Sequence, residues 1–127
     1  MKLKIGGLSF NALVSELRRR ARIEDGDQAG EVKSGEWLRD LVGTYYDYFM
    51  TIETNTLSTE DYDNLYEALT APVESQQVTF PYGQETLSFD AYIENVQDEF
   101  LGIIASGNRW GHLSVSFKAK KPQRRPT

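Results

Sequence analysis

The stretch that decides the fold is residues 45–53, Tyr45-Tyr46-Asp47-Tyr48-Phe49-Met50-Thr51-Ile52-Glu53. Its even-numbered residues, from Tyr46 to Ile52, are aromatic or apolar, and they alternate with a more polar odd-numbered set. Aromatic and β-branched residues at a period of two are typical of a β-strand. Because Tyr45 and Phe49 add apolar side chains to the second face, we expect both faces to be covered near residues 45–50.

Upstream of this strand, residues 10–23 fit two patterns. Apolar residues occur at helical spacing from Phe10 to Ala21, but from Leu13 onward apolar residues also alternate with three arginines that would share one strand face. These arginines are Arg18, Arg20 and Arg22. We predict a strand here, because a well-marked partner strand follows.

Two short segments complete the N-terminal half. Leu3 and Ile5 alternate with lysines before Gly6-Gly7, which predicts a short strand and a turn. Residues 24–35 hold glycine and acidic residues with almost nothing apolar, which predicts a long mobile loop.

Downstream, the spacing predicts a helix over residues 58–70. Ser58 is a favourable N-cap, and Glu60 and Asp61 suit the helix dipole in the first turn. One apolar stripe would pack on a sheet. Its members are Tyr62, Leu65, Tyr66 and Leu69. Pro72 cannot continue the helix.

The last third of the chain predicts three strands, around residues 78–80, 87–93 and 110–119. We expect turns at 81–84 and 106–108, and an acidic linker at 96–101. The order β-β-β-α-β-β-β indicates an α+β, mainly β fold, an antiparallel sheet or sandwich with one packed helix. We predict one domain over residues 1–119, with the long loop 24–35 inside it, and a flexible basic tail over residues 120–127.

Composition excludes several chemistries. The chain has 127 residues and no cysteine, so disulfides and thiolate sites are absent. His112 is the only histidine, and no carboxylate cluster has the spacing of a calcium loop. We therefore predict no catalytic residues, no cofactor-binding residues, no metal site and no enzyme activity. The acidic residues all lie at or before Glu99, and an acidic body argues against general nucleic-acid binding.

Several side chains are better candidates for an interaction surface. The arginines of the strand over residues 10–23 could meet an acidic neighbouring copy or nucleic acid, although a solvated face explains them equally well. Tryptophan is favoured at interface centres, but it also caps cores. The predicted interface residues are Arg18, Arg20, Arg22, Trp37, Arg39, Arg109 and Trp110.

Four stretches, in one order across most of the chain, resemble a family of small prophage-encoded proteins found among tail genes in phages of Gram-positive bacteria. They are SGEWLRDLVGTYYDY at residues 34–48, EDYDNLYEALTAPV at 60–73, VTFPYGQ at 78–84 and GNRWG at 107–111. The resemblance implies a phage tail-tube-like fold, in which copies form rings through sheet edges and the long loop.

The resemblance also implies a function. We expect a non-enzymatic virion structural protein, a small tail or tail-tip component that is made in the host cytoplasm and ends in the virion. Its expected partners are copies of itself, in a ring, and other phage tail proteins, with no membrane and no specific nucleic acid. The alternative is a stand-alone adaptor that contacts nucleic acid or an acidic protein through its basic tail or through the patch Arg18–Arg22.

Overall fold

The computed structural model describes residues 2–27, 29–31, 33–53 and 55–126, without the side chain of Lys2. The elements in these ranges are β1 (Lys2–Ile5), β2 (Leu8–Asn11), β3 (Leu13–Asp25), β4 (Gly30–Glu31), β5 (Trp37–Leu38), β6 (Leu41–Glu53), α1 (Thr59–Leu69), β7 (Gln76–Tyr82), β8 (Glu85–Ile104) and β9 (Gly107–Ala119). The mainly β, α+β prediction is confirmed.

Seven of these strands form one antiparallel sheet in the order β2-β1-β7-β8-β9-β6-β3, and β4 pairs with β5 beside it. The two edge strands, β2 and β3, follow each other in the chain with only the buried Ala12 between them. One residue can span no more than about 7 Å between its neighbours' Cα atoms. The sheet must therefore curl until its two edges meet at this corner.

Strand β6, which lies between β9 and the edge strand β3, explains why the predicted alternation holds. Tyr48, Met50 and Ile52 point into the core and are at most 3% exposed. On one side β6 pairs with β3, and on the other with β9, so the predictions of a strand at 45–53 and of a strand rather than a helix at 13–23 are confirmed.

Helix α1 begins where its capping residues predict. The Ser58 hydroxyl accepts a hydrogen bond from the Asp61 N–H at 3.1 Å, as expected of an N-cap. The helix buries Tyr62, Leu65 and Leu69. Full burial of Leu65 alone contributes about 1.5–3 kcal/mol. The helix predicted over 58–70 is confirmed, and no helix of the described residues is long and apolar enough to cross a bilayer.

The core contains an aromatic cluster centred on Phe80. Its ring lies 5.1 Å from that of Tyr48, 6.0 Å from that of Phe89 and 4.8 Å from that of Phe117, measured between centroids. The Tyr48 hydroxyl donates to the carbonyl of Pro81 at 2.7 Å, which satisfies the one polar atom that this side chain brings into the core.

The prediction of an acidic linker is wrong. Residues 96–101 are not a linker, because β8 continues through them to Ile104. Register shifts in the β8–β9 pairing, with Asn95 and His112 at positive φ, interrupt the period-two alternation by which the strand would be recognised. The turn predicted at 81–84 is found, with Gly83 and Gln84 at its centre, and the turn predicted at 106–108 begins one residue earlier, at 105–106.

The long loop 24–35 is shorter than predicted. β3 extends to Asp25, and Gly30–Glu31 pairs with Trp37–Leu38. Six strands thus precede the helix in the described residues, where three were predicted, because strands of two to four residues are too short for periodicity to mark them.

Candidate assembly surface

The longest hairpin extends beyond the sheet. β7 pairs with β8 only as far as Ala91, and β6 pairs with β9 only from Leu113 onward, so residues 99–104 and 107–112 pair only with each other among the described strands. We call this segment, together with Asp98 at its base, the distal ribbon (residues 98–112). Its β8 edge has no partner strand among the described residues, and two-stranded ribbons are marginally stable in water on their own.

The distal ribbon exposes large apolar side chains. Ile103 is 80% exposed, Phe100 51% and Trp110 37%, and the rings of Phe100 and Trp110 meet edge to face with centroids 5.2 Å apart. Leu101 and Ile104 are exposed as well. Several exposed large apolar side chains on one short ribbon are more typical of an interaction site than of a surface that only contacts solvent.

The base of the distal ribbon is fixed to the helix. Tyr62 of α1 donates a hydrogen bond from its hydroxyl to Asp98 of β8. Burial, together with this bond to a carboxylate, raises the pKa of Tyr62, so the phenol stays a donor across the physiological range. A groove of about 300 Å³ remains between the two elements, and Trp110 and Tyr66 lie on its walls. The ribbon is therefore positioned relative to the core.

A second apolar end lies where β3 meets β6. Ile23, Trp37 and Leu38 are each more than half exposed there. Arg39 fixes this end, since its guanidinium pairs with Asp25 at 3.1 Å and donates to the carbonyl of Ile23 at 3.3 Å. Trp37 and Arg39, two predicted interface residues, thus lie together, while Arg109 and Trp110 lie on the distal ribbon.

Arg18, Arg20 and Arg22 of β3 share one strand face, as predicted. On this face they have a buried carboxylate partner that the sequence did not reveal. Asp47 is only 1% exposed. Arg20 donates a hydrogen bond to its Oδ2 at 3.1 Å, and Arg22 donates to both carboxylate oxygens. The N–H of Ala119 donates to Oδ1 at 3.0 Å. Burial by itself raises the pKa of Asp47, but the bonds from Arg22, Ala119 and Arg20 outweigh it and hold that pKa below its usual value.

Aromatic rings occupy the same face. The guanidinium carbons of Arg18 and Arg20 lie 5.9 and 5.2 Å from the Phe49 ring centroid, and that of Arg22 lies 4.7 Å from the Tyr45 centroid. Arg18 also pairs with Glu16 at 3.0 Å. These partners within the chain neutralise much of the patch.

The basic tail, which the sequence predicts to be a flexible segment from residue 120, bonds to the sheet in the structure. Thr44 of β6 donates its N–H to the carbonyl of Arg124 at 2.9 Å and accepts from the N–H groups of Gln123 and Arg124. The Gln123 side chain accepts from the N–H of Tyr46 at 3.0 Å and donates to its carbonyl at 3.2 Å. We call residues 120–126 the strap.

The strap lies where β9 has left β6. At its start, the N–H of Lys120 donates to the carbonyl of Asp90 at 3.0 Å, and the Lys120 ammonium pairs with Glu74 at 2.9 Å. Gly43 allows the close approach of the strap, since a Cβ at that position would lie 2.4 Å from the carbonyl oxygen of Arg124. No periodic pattern marks such a segment in the sequence, because a side-chain amide provides two of its hydrogen bonds to β6.

His112 lies at the surface. Its Nδ1 is 3.9 Å from a carboxylate oxygen of Glu53, which is a long contact between two exposed groups. Within the described ranges no three histidine, aspartate or glutamate side chains are grouped so as to hold a metal ion.

Comparison of the chain with protein-family models, with curated proteins and with solved structures finds no match. The functional proposal therefore depends on the surfaces described above.

Proposed function

We propose that this chain is a non-enzymatic structural subunit that assembles with copies of itself, and that it serves as a small phage tail or tail-tip component of the virion. The observation that supports self-assembly best is the distal ribbon. It extends past its neighbouring strands, leaves its β8 edge without a partner strand among the described residues, and exposes five large apolar side chains. Natural proteins usually protect such edges, and an unprotected one is a template for another chain.

A second strand edge, which could pair with the β8 edge of another copy, lies beyond two intervening strands of the same sheet. β3 is an edge strand of 13 residues, and in the strand order it is separated from β8 by β9 and β6. The part of β8 that extends beyond β7 also has an edge without a partner strand among the described residues. Pairing of these edges between copies is head-to-tail, and a head-to-tail contact that closes makes a ring.

The phage assignment is supported by the resemblance alone. The first of its four stretches covers the apolar end that contains Trp37 and the first part of β6. The other three lie on α1, on β7 and at the tip of the distal ribbon. These elements include both exposed apolar ends, which is where a ring-forming or stacking subunit contacts its neighbours. Other tail proteins would be the further partners.

Light scattering and sedimentation velocity across a wide concentration range test self-assembly. The wild-type chain should associate as the concentration rises. Ile103→Asp should raise the concentration of half-association by about tenfold or more, since burying an isoleucine contributes about 1.5–3 kcal/mol and 1.4 kcal/mol is a factor of ten.

Val73→Asp is the matched control, because Val73 is 56% exposed but lies outside the distal ribbon, and it should leave association unchanged. Negative-stain electron microscopy of the associated fraction should show rings or short stacks. A strict monomer at every concentration, or equal effects of the two substitutions, would contradict the proposal.

The alternative, an adaptor that binds nucleic acid or an acidic protein through the arginine patch or the basic tail, has weaker support. Asp47 forms ion pairs with Arg20 and Arg22, and Glu16 forms an ion pair with Arg18. The strap, which contains the basic tail, is hydrogen-bonded to β6. Groups that are already paired have less charge to offer a phosphate backbone.

A further inference from the structure

The strap occupies a backbone edge that a strand from elsewhere could use. Between Gly43 and Asp47, β6 has β3 on one side, but β9 pairs with it only from Tyr48 onward. On that second side Thr44 pairs with Arg124 across an isolated bridge, and the backbone of Tyr46 bonds to the Gln123 side chain. The edge is therefore filled by a short segment, not by a full strand.

The strap is held at the surface and buries little. Within the described part of the strap no residue is buried: Lys120, Pro122 and Gln123 are half-buried, and the others are exposed. Its attachment thus consists of backbone and side-chain hydrogen bonds together with the ion pair of Lys120 with Glu74, and water can replace all of these. Segments with few buried apolar contacts and exposed hydrogen bonds open at the lowest free energies in a protein.

The site fits the strap sequence specifically. Gly43 has a φ of +150°, and a Cβ on it would lie 2.4 Å from the carbonyl oxygen of Arg124 and 2.7 Å from the Cβ of Pro122. Tyr46 has its N–H and its carbonyl bonded to one amide side chain, that of Gln123. A segment that replaces the strap must approach Gly43 as closely as the strap does. It must also place a side-chain amide opposite Tyr46.

We infer that residues 43–47 of β6 are a strand-acceptor site, and that their occupant in assemblies is the strap of a second copy of this chain. The inference deepens the proposed self-assembly and rests on it. A strap from a neighbouring copy forms the same bonds as the resident strap, so exchange between copies needs no new contact and is driven by concentration, as in domain swapping.

Charge and length both favour exchange. Residues 120–127 carry four positive and no negative side chains, whereas residues 1–119 carry nineteen acidic and ten basic ones. The strap of one copy is thus attracted to the body of another. The seven strap residues reach roughly 23–25 Å when extended, at about 3.3–3.6 Å per residue, which is enough to cross to a copy in contact.

The chain contains no cysteine, so a disulfide can report the exchange without interference. Thr44 and Arg124 lie opposite each other and exchange two backbone hydrogen bonds. Cα atoms of such an antiparallel pair are about 5.5 Å apart, within the range that a disulfide bridges. Thr44→Cys and Arg124→Cys would be made in separate chains, one of them with a tag that changes its mobility, then mixed and oxidised.

The expected result is a disulfide-linked heterodimer in at least about tenfold excess over that from the control mixture, because a docked strap has a high effective concentration at its acceptor. The control mixes Glu60→Cys, on an exposed position of α1, with Arg124→Cys. The excess should rise with protein concentration.

A double variant, Thr44→Cys/Arg124→Cys, shows that both substitutions are tolerated. When oxidised in dilute solution it should form an intramolecular disulfide, which locks the strap in its own chain, and the heterodimer signal should then be lost. If the wild-type chain associates but the mixed variants give no excess over the control, exchange is overturned while self-assembly stands. If neither association nor heterodimer is found, both are overturned.

Discussion

The buried carboxylate of Asp47 gives the sharpest test of how the arginine face is stabilised. Asp47→Asn keeps the size and an acceptor for the Ala119 N–H, but it removes the charge that Arg20 and Arg22 share. Removing one partner of a fully buried pair costs about 3–5 kcal/mol. The side chains of Arg20 and Arg22 are 55% and 21% exposed, so solvent recovers part of that loss. We expect a loss of about 2–3 kcal/mol in the free energy of unfolding.

Urea unfolding at pH 7, followed by tryptophan fluorescence and circular dichroism, measures this loss. For a chain of this length it corresponds to a fall in Tm of about 8–11 °C, from about 2.1 cal/mol/K of unfolding entropy per residue. Asp25→Asn is the matched control, since Asp25 pairs with Arg39 at a more exposed site, and it should cost less than about 1 kcal/mol.

The effect of Asp47→Asn should also depend on pH. The pKa of Asp47 is lowered in the folded state, so its contribution is present above the unfolded pKa of about 3.9 and is lost as the pH falls through the folded value. The stability difference between wild type and variant should therefore shrink below about pH 4. Equal losses for both variants at pH 7, or a difference that stays constant into strong acid, would refute the reasoning.

Two further predictions concern the strap and metal ions. Gly43→Ala places a methyl group against the strap at a positive φ, so it should lower stability by at least about 1 kcal/mol and speed tryptic cleavage after Lys120 and Arg124. Gly30→Ala is its control, because nothing lies within 4 Å of a Cβ there, and an equal effect on both measurements would contradict the described close approach. A strong chelator should leave the Tm unchanged, since no metal-ligand group is present in the described residues, and a drop of several degrees would reveal a carboxylate site.

The sequence predicts the elements whose signal is local. The alternation through Tyr48, Met50 and Ile52 and the capped helix at Ser58 are each determined by neighbouring residues, and both are found in the structure. Where local regularity fails, so does prediction. Asn95 and His112 at positive φ break the alternation of the longest hairpin, which is why β8 was divided into a strand and a linker.

The site was predictable only in part. Trp37 and Trp110 are exposed on two separate ends, and the sequence could identify them as candidates but not place them. Asp47 is a polar residue on the second face of β6, and its carboxylate is held by a hydrogen bond from the Ala119 N–H, 72 residues away. The strap depends on Gln123 matching Tyr46 across 77 residues, a contact that no local pattern contains.

The corner at Ala12 limits how the sheet can grow. β2 ends and β3 begins there, one residue apart, so an added strand that runs along β3 meets β2 at that end. A neighbour can align only with the part of β3 that points away from the corner, towards Arg22. Each copy would therefore be displaced along the strands by the same amount relative to the preceding copy. A constant displacement of this kind determines the tilt of the strands relative to the axis of a closed assembly.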